Sequence, residues 1–173
     1  MVMALSGDEV FGTKVPGFVT DTDGRLVVSN LAALEAQIDA APRGVLASHT
    51  LTNDFLTAAP HTAAQDEGLT VEATYEANRV LRVTLKVIHF ANGGVNNIAY
   101  EVFRGSTLLS RYRRLNDPAY NSETWEVVVN GPSVAGTETF KVQMYALTNN
   151  TQIQSYGSAE FPRQLIVEDI GAQ

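Results

Sequence analysis

The chain has no cysteine among its 173 residues. Disulfides, cysteine-ligated zinc and thiol nucleophiles are excluded, and the fold has to be held by packing alone. Long apolar runs are missing too. No stretch approaches the roughly 18 apolar residues of a membrane-spanning helix. The opening "MVMALSGDEVFG" has neither a basic start nor an extended apolar segment, so it does not read as a secretory leader, and a cytosolic site of synthesis is expected. Positive charge is scarce: 12 Lys and Arg stand against 19 Asp and Glu, for a net charge of −7. Phosphate backbones are gripped by clustered Lys and Arg, so bulk electrostatic binding of nucleic acid is not expected. Charged residues make up only 18% and apolar ones 45%, enough for a core and too few charges for a disordered chain. One compact domain with a short appendage is expected.

Catalytic signatures are absent as well. There is no GxSxG elbow, Walker loop, GxGxxG or HExxH. The histidines His49, His61 and His89 are too far apart to form a local metal motif; His61 reads as a loop residue and His89 as a strand end at a sheet rim. "DTDG" (Asp21, Asp23, Gly24) starts like a calcium loop, but the twelfth position counted from Asp21 is Ala32, which carries no carboxylate. It reads as a turn, and so does "NNT" at Asn149. No metal, no cofactor and no enzymatic activity are expected.

What the chain does have is periodicity. Residues 1–26 are rich in turn formers and read as an irregular anchor, with Pro16 and Gly17 opposing a helix. Residues 27–41 read as a helix that Ser29 or Asn30 can cap and that Pro42 ends. Its apolar positions Val27, Leu31, Leu34 and Ile38 have heptad spacing. Two readings stand side by side: an amphipathic element packed on its own domain, or a stalk that joins chains. Alanines fill most of the rest and only Glu35 and Asp39 are charged, which favours a covered helix.

From residue 42 onward the period becomes two. "GLTVEATY", "RVLRVTLKV", "ETWEVVV" and "TFKVQMYAL" alternate apolar and polar positions, as half-buried strands do. With "RGVLASHTL", "NIAYEVFR", "STLLSRYR", "TQIQSYG" and "RQLIVEDI" they make about nine strands, divided by "ANGGVNN", "NDPAYNS", "NGPSVAG" and "LTNNT". Short strands without interleaved helices predict an all-β antiparallel sandwich or jelly roll. In "QLIVEDI" the acids Glu168 and Asp169 fall on opposite strand faces, so they cannot act as a carboxylate pair, and Asp169 is expected to emerge into water.

"RYRR" is the one basic cluster. Alternation puts Arg111 and Arg113 on one face, paired with Glu101 or Glu126, and Tyr112 on the other. Arg111, Tyr112, Arg113 and Tyr120 are the candidate contacts for a partner or a glycan, because arginine and aromatic rings together can stack on flat ligands. Trp125 and Tyr156 are further aromatic candidates, with Trp125 expected inside, in register with Val127 and Val129.

Four stretches, "PRGVLASHTLTND", "GLTVEATYEANRVLRVTLKV", "YEVFRGSTLLSRYRR" and "FPRQLIVEDIGAQ", resemble a β-sandwich domain of actinobacteriophage virion proteins. That family commonly closes on a strand of the form x-Leu-x-Val-Glu-Asp-Ile/Leu-Gly. Leu81 in "YEANRVLRV" stands where the family more usually has tyrosine. The resemblance spans roughly residues 42–173. It implies a non-enzymatic structural protein of the minor tail, head-fibre or capsid decoration type, on the surface of a particle assembled in the host cytoplasm. Its implied partners are capsid or tail subunits, further copies of itself as a homotrimer, and a host-surface glycan if it works as an adhesive module. Residues 1–26 would dock, the helix would join chains, and "ANGGVNN" and "NDPAYNS" would be the exposed tips.

Because the strand pattern is continuous from residue 42, a fragment comprising residues 43–173 is expected to fold alone. Cooperative urea unfolding of the purified fragment checks this, and a soluble fragment without a cooperative transition contradicts it.

Overall fold

The computed structural model describes residues 18–20, 26–28, 31–56, 64–92, 96–116, 121–146 and 152–173. The chain divides into two compact units, Met1–Ala41 and Pro42–Gln173. In the first, strands β1 (Phe18–Thr20) and β2 (Leu26–Val28) pair antiparallel, and helix α1 spans Leu31–Ala40. Two expectations are corrected here. The segment before residue 27 is not wholly irregular, and Val27 is not helical: it lies opposite Val19 in the β1–β2 ladder. The consecutive β-branched Val27 and Val28 suit a ladder better than a first helical turn. The helix therefore carries Leu31, Leu34 and Ile38 of the expected seam without Val27. Residues 35–40 are all exposed.

The second unit contains β3 (Gly44–Leu51), β4 (Phe55–Leu56), β5 (Gln65–Tyr75), β6 (Arg79–Asn92), β7 (Asn96–Arg104), β8 (Thr107–Asn116), β9 (Asn121–Asn130), β10 (Gly136–Ala146), β11 (Gln152–Tyr156) and β12 (Arg163–Ala172). One sheet has the order β5-β10-β7-β8. The other runs β3-β12-β6, with β9 on the far edge of β6 and β11-β4 extending beside it. All pairings are antiparallel. Setting β4 and β11 aside, the pairs are nested: β3 with β12, β5 with β10, β6 with β9, β7 with β8. The fold is a jelly roll.

The nested order follows from local signals. The β7–β8 turn is the innermost, closed by Gly105 at φ 58°, a conformation that glycine adopts without steric cost. Each later strand returns to pair with an earlier one. Period-two alternation gives every strand one apolar face, and the two inner faces meet. Leu69, Val71, Ala73 and Tyr75 of β5 and Phe140, Val142 and Met144 of β10 lie on one side. Leu81, Val83, Leu85 and Val87 of β6 and Leu165 and Val167 of β12 lie on the other. Each fully buried Leu, Val or Phe contributes about 1.5–3 kcal/mol.

The inner row of β12 also holds charges. Arg163, Leu165, Val167 and Asp169 are all buried. Asp169 is thus not solvated as expected. The Arg79 guanidinium grips it with two bonds, Nε to Oδ2 at 2.7 Å and Nη2 to Oδ1 at 2.9 Å, and the Gly171 N–H donates to Oδ1 at 2.9 Å. A register shift between Asp169 and Gly171 accompanies this. Glu168, on the outer face, pairs with Arg82 Nε at 2.8 Å. Burial pushes the Asp169 carboxyl up, but the bonds from Arg79 and Gly171 outweigh it and hold the group below its ordinary value of 3.8. Its ionised form therefore stabilises the fold above that value, and this contribution is lost as pH falls through the folded value.

Replacing Asp169 with Asn removes the carboxylate charge that the two bonds of the buried Arg79 guanidinium engage. A loss of about 3–5 kcal/mol at pH 7 is expected from urea denaturation. The gap between variant and wild type should narrow as pH falls from 3.8 through the lower folded-state value, where the wild-type carboxylate also becomes neutral. A gap that stays constant with pH contradicts the pairing.

Candidate functional site

The sequence-predicted contact residues do not come together. Arg111 stands on the outer face of β8 and pairs with Glu101 of β7, its Nε 2.6 Å from Oε1. Arg113, on the same face, is exposed opposite Ala99. Tyr112 points the other way, half-buried, with its ring stacked on Trp125 at 5.0 Å between centroids and 10° between planes. Tyr120 lies outside the described residues, as do Asp21, Asp23, Gly24, His61, Asn149 and the middles of the two expected tip loops. Arginine and aromatic are thus split between outer sheet face and core edge.

Trp125 and Tyr112 instead close the sandwich where edge strands β9 and β8 approach each other. They begin an inward layer that crosses one end of the core. Trp125 packs on Tyr100 at 5.1 Å and stacks on His89 at 6.2 Å. His89 is fully buried rather than at a sheet rim, because β6 continues beyond it to Asn92 and β11 covers it. Its cross-strand partner Ser155 donates to Glu67 Oε1, and Glu67 accepts from Arg163 Nη1 at 3.2 Å. Burial drives the Glu67 carboxyl above its ordinary value, against the bonds from Ser155 and Arg163. Burial and the neighbouring Glu67 charge push the Tyr100 phenol up. Closed off from solvent, these groups act as internal struts.

On the opposite face of these strands a cleft is open. β11 and β12 lie end to end along one edge of β6, and residues 157–162 bulge out between them. The cleft floor is a register row across three strands, Ser122 of β9, Ile88 of β6 and Tyr156 of β11. The next row is Thr124, Lys86 and Gln164. Phe161 overhangs from the bulge, 54% exposed. The cleft has a volume of about 390 Å³, within the range of small-ligand sites. Glu123, Glu160 and Pro162 line its continuation.

The bulge is built rather than loose. The Ser158 N–H donates to the Phe161 carbonyl and the Phe161 N–H to Ser158 Oγ, both at 3.1 Å. The Gly157 N–H donates to Asp54 Oδ1 at 2.9 Å. A Cβ on Gly157 would sit 2.4 Å from the Asn53 carbonyl oxygen, so only glycine allows this approach. Arg163 ties the other end, its Nε donating to that same carbonyl at 3.0 Å. Tyr156 was recognisable in the sequence as an aromatic candidate. Phe161 was not, since no periodic pattern surrounds it and its role depends on the Ser158 turn.

No family model matches the chain, and no curated protein matches it in sequence. Among solved structures it is similar to Eiger TNF from S. frugiperda, with 10% identity over 76% of this chain and 96% of that one and a TM-score of 0.45. It is similar to infectious bursal disease virus Gt strain, with 12% identity, 92% of this chain, 43% of that one and a TM-score of 0.41. A family 35 carbohydrate-binding module from Clostridium thermocellum gives 15% identity, 74% of this chain, 98% of that one and a TM-score of 0.34. The chain thus spans under half of the bursal virus chain. Likenesses at this level do not bear on what the protein does.

Trp125→Ala is expected to lower stability by about 3 kcal/mol in chemical denaturation, because it removes the ring on which Tyr112, Tyr100 and His89 pack. A variant with wild-type stability contradicts the core-edge role.

Proposed function

We propose that the chain is a non-enzymatic accessory structural protein of a tailed-phage virion, of the minor tail, fibre-like or capsid decoration type. Its N-terminal unit docks on the particle and joins copies into a homotrimer, and its jelly roll is displayed outward. The observation that carries this reading is the N-terminal unit itself. It is a compact unit of its own, and its helix leaves Ile38 54% exposed, with only Glu35 and Asp39 charged among the ten helical residues. A helix so sparsely charged favours a covering partner. The sequence resemblance supports the same reading. Its terminal Val-Glu-Asp-Ile-Gly segment serves the fold, with Glu168 on Arg82 and Asp169 on Arg79, and so is read as a structural signature.

Light scattering of the purified full chain is expected to give the mass of a trimer. Leu31→Asp with Leu34→Asp places like charges against each other in every copy, so the double variant should fall to monomer mass while its β-sheet circular dichroism persists. If the wild type is monomeric in solution, a density map of the assembled particle decides. Helices lying singly, with Leu31 and Leu34 facing no other chain, overturn the seam.

A further inference from the structure

The cleft between the outer face of the β9-β6-β11 ladder and the 157–162 bulge has a geometry fixed from several directions. Tyr156 and Phe161 give it two aromatic rings, and Ile88 gives it an apolar floor. Lys86, Glu160 and Gln164 supply charged and amide hydrogen-bonding groups along its continuation. Apolar rings beside charged and amide groups match a molecule with an apolar face and a hydroxylated edge. A pyranose is such a molecule: its C–H face packs on an aromatic ring and its hydroxyls need donors and acceptors around the edge. The charge balance narrows the class. On the outward side Glu160 stands against the single ammonium of Lys86, so there is no excess of positive charge to hold a sialic acid or a uronate. A volume of about 390 Å³ admits one to two sugar rings.

We propose that this cleft binds a neutral hexopyranose unit of a surface glycan, with Phe161 and Tyr156 as the ring platforms. Ser122, on the floor row, supplies a hydroxyl, while Gln164 and Glu160 stand on the polar side. The site is preorganised, because the two Ser158–Phe161 bonds and the Gly157–Asp54 bond fix the bulge before any ligand arrives. The proposal goes beyond display on a particle. It concerns the isolated chain and stands or falls whether or not that chain is a virion protein.

The test titrates the purified full chain, uniformly labelled with ¹⁵N, with neutral gluco-, manno- and galacto-oligosaccharides of three to six units. A sialylated and a uronate oligosaccharide serve as anionic comparisons. Saturable shifts at about 1 mM ligand or below are expected for at least one neutral series, centred on the amides of Ile88, Ser122, Tyr156 and Phe161. Phe161→Ala should weaken binding at least about tenfold. Its exposure means that thermal unfolding should stay at the wild-type temperature, which separates loss of the platform from loss of the fold. No saturable neutral ligand, shifts centred elsewhere, stronger binding of the anionic sugars, or an unchanged affinity in Phe161→Ala each overturns the assignment.

Discussion

Strand β12 is held at both ends by buried charge. Near its start Arg163 reaches Glu67 of β5, and near its end Asp169 receives the guanidinium of Arg79 from β6. Between them only Leu165 and Val167 face the core. Apolar side chains alone would tolerate β12 sliding by two residues, since Leu165 and Val167 are near-equivalents in shape. The charges would not: a two-residue slip would pull Arg163 away from Glu67 and Asp169 away from Arg79. Buried ion pairs add little net stability over apolar replacements, but breaking one is costly, and this asymmetry makes them effective at fixing register. β12 lies between β3 and β6, so its register fixes how those two strands stand against each other.

Such a device suits this topology. Every nested pair beyond the β7–β8 turn joins segments increasingly distant in sequence, up to β3 with β12. Chains dominated by distant pairings fold slowly, and partly paired edges persist for longer. A register fixed by charge discriminates among the compact alternatives that such a search would visit. The same economy extends outward. Ser155 is held from inside by Glu67, and the next residue, Tyr156, stands in the cleft. Arg163 secures Glu67 and the Asn53 carbonyl at once, so one guanidinium joins the inner layer to the bulge that carries Phe161.

The strand skeleton was legible in the sequence because alternation is a local property. The nine strands read from period-two patterning correspond to β3 and β5 through β12. The two-residue β4 is too short to show a period, and β1 and β2 were hidden by turn formers on one side and by an apparent heptad on the other. Val27 fitted both a helix and a ladder, and its pairing with Val19 decided for the ladder. Asp169 was misjudged for another reason. Its partner Arg79 is 90 residues away, and the sequence does not announce that two charges will meet inside. His89 was misplaced because a strand end in sequence need not be a sheet edge in space. The Arg111–Glu101 pair was recoverable, since hairpin partners follow from turn position. The cleft was not, because it is assembled from three strands and an aperiodic bulge.

The bulge has an evolutionary aspect. From Tyr156 to Gln164 the chain advances eight residues while its partner strand advances two, from Ile88 to Lys86. The surplus is even, so β11 and β12 point the same faces inward on either side of it. Residues 158–162 are therefore a cassette. Their length and chemistry can drift under selection for a new ligand while each inward-facing residue keeps its place in the ladder.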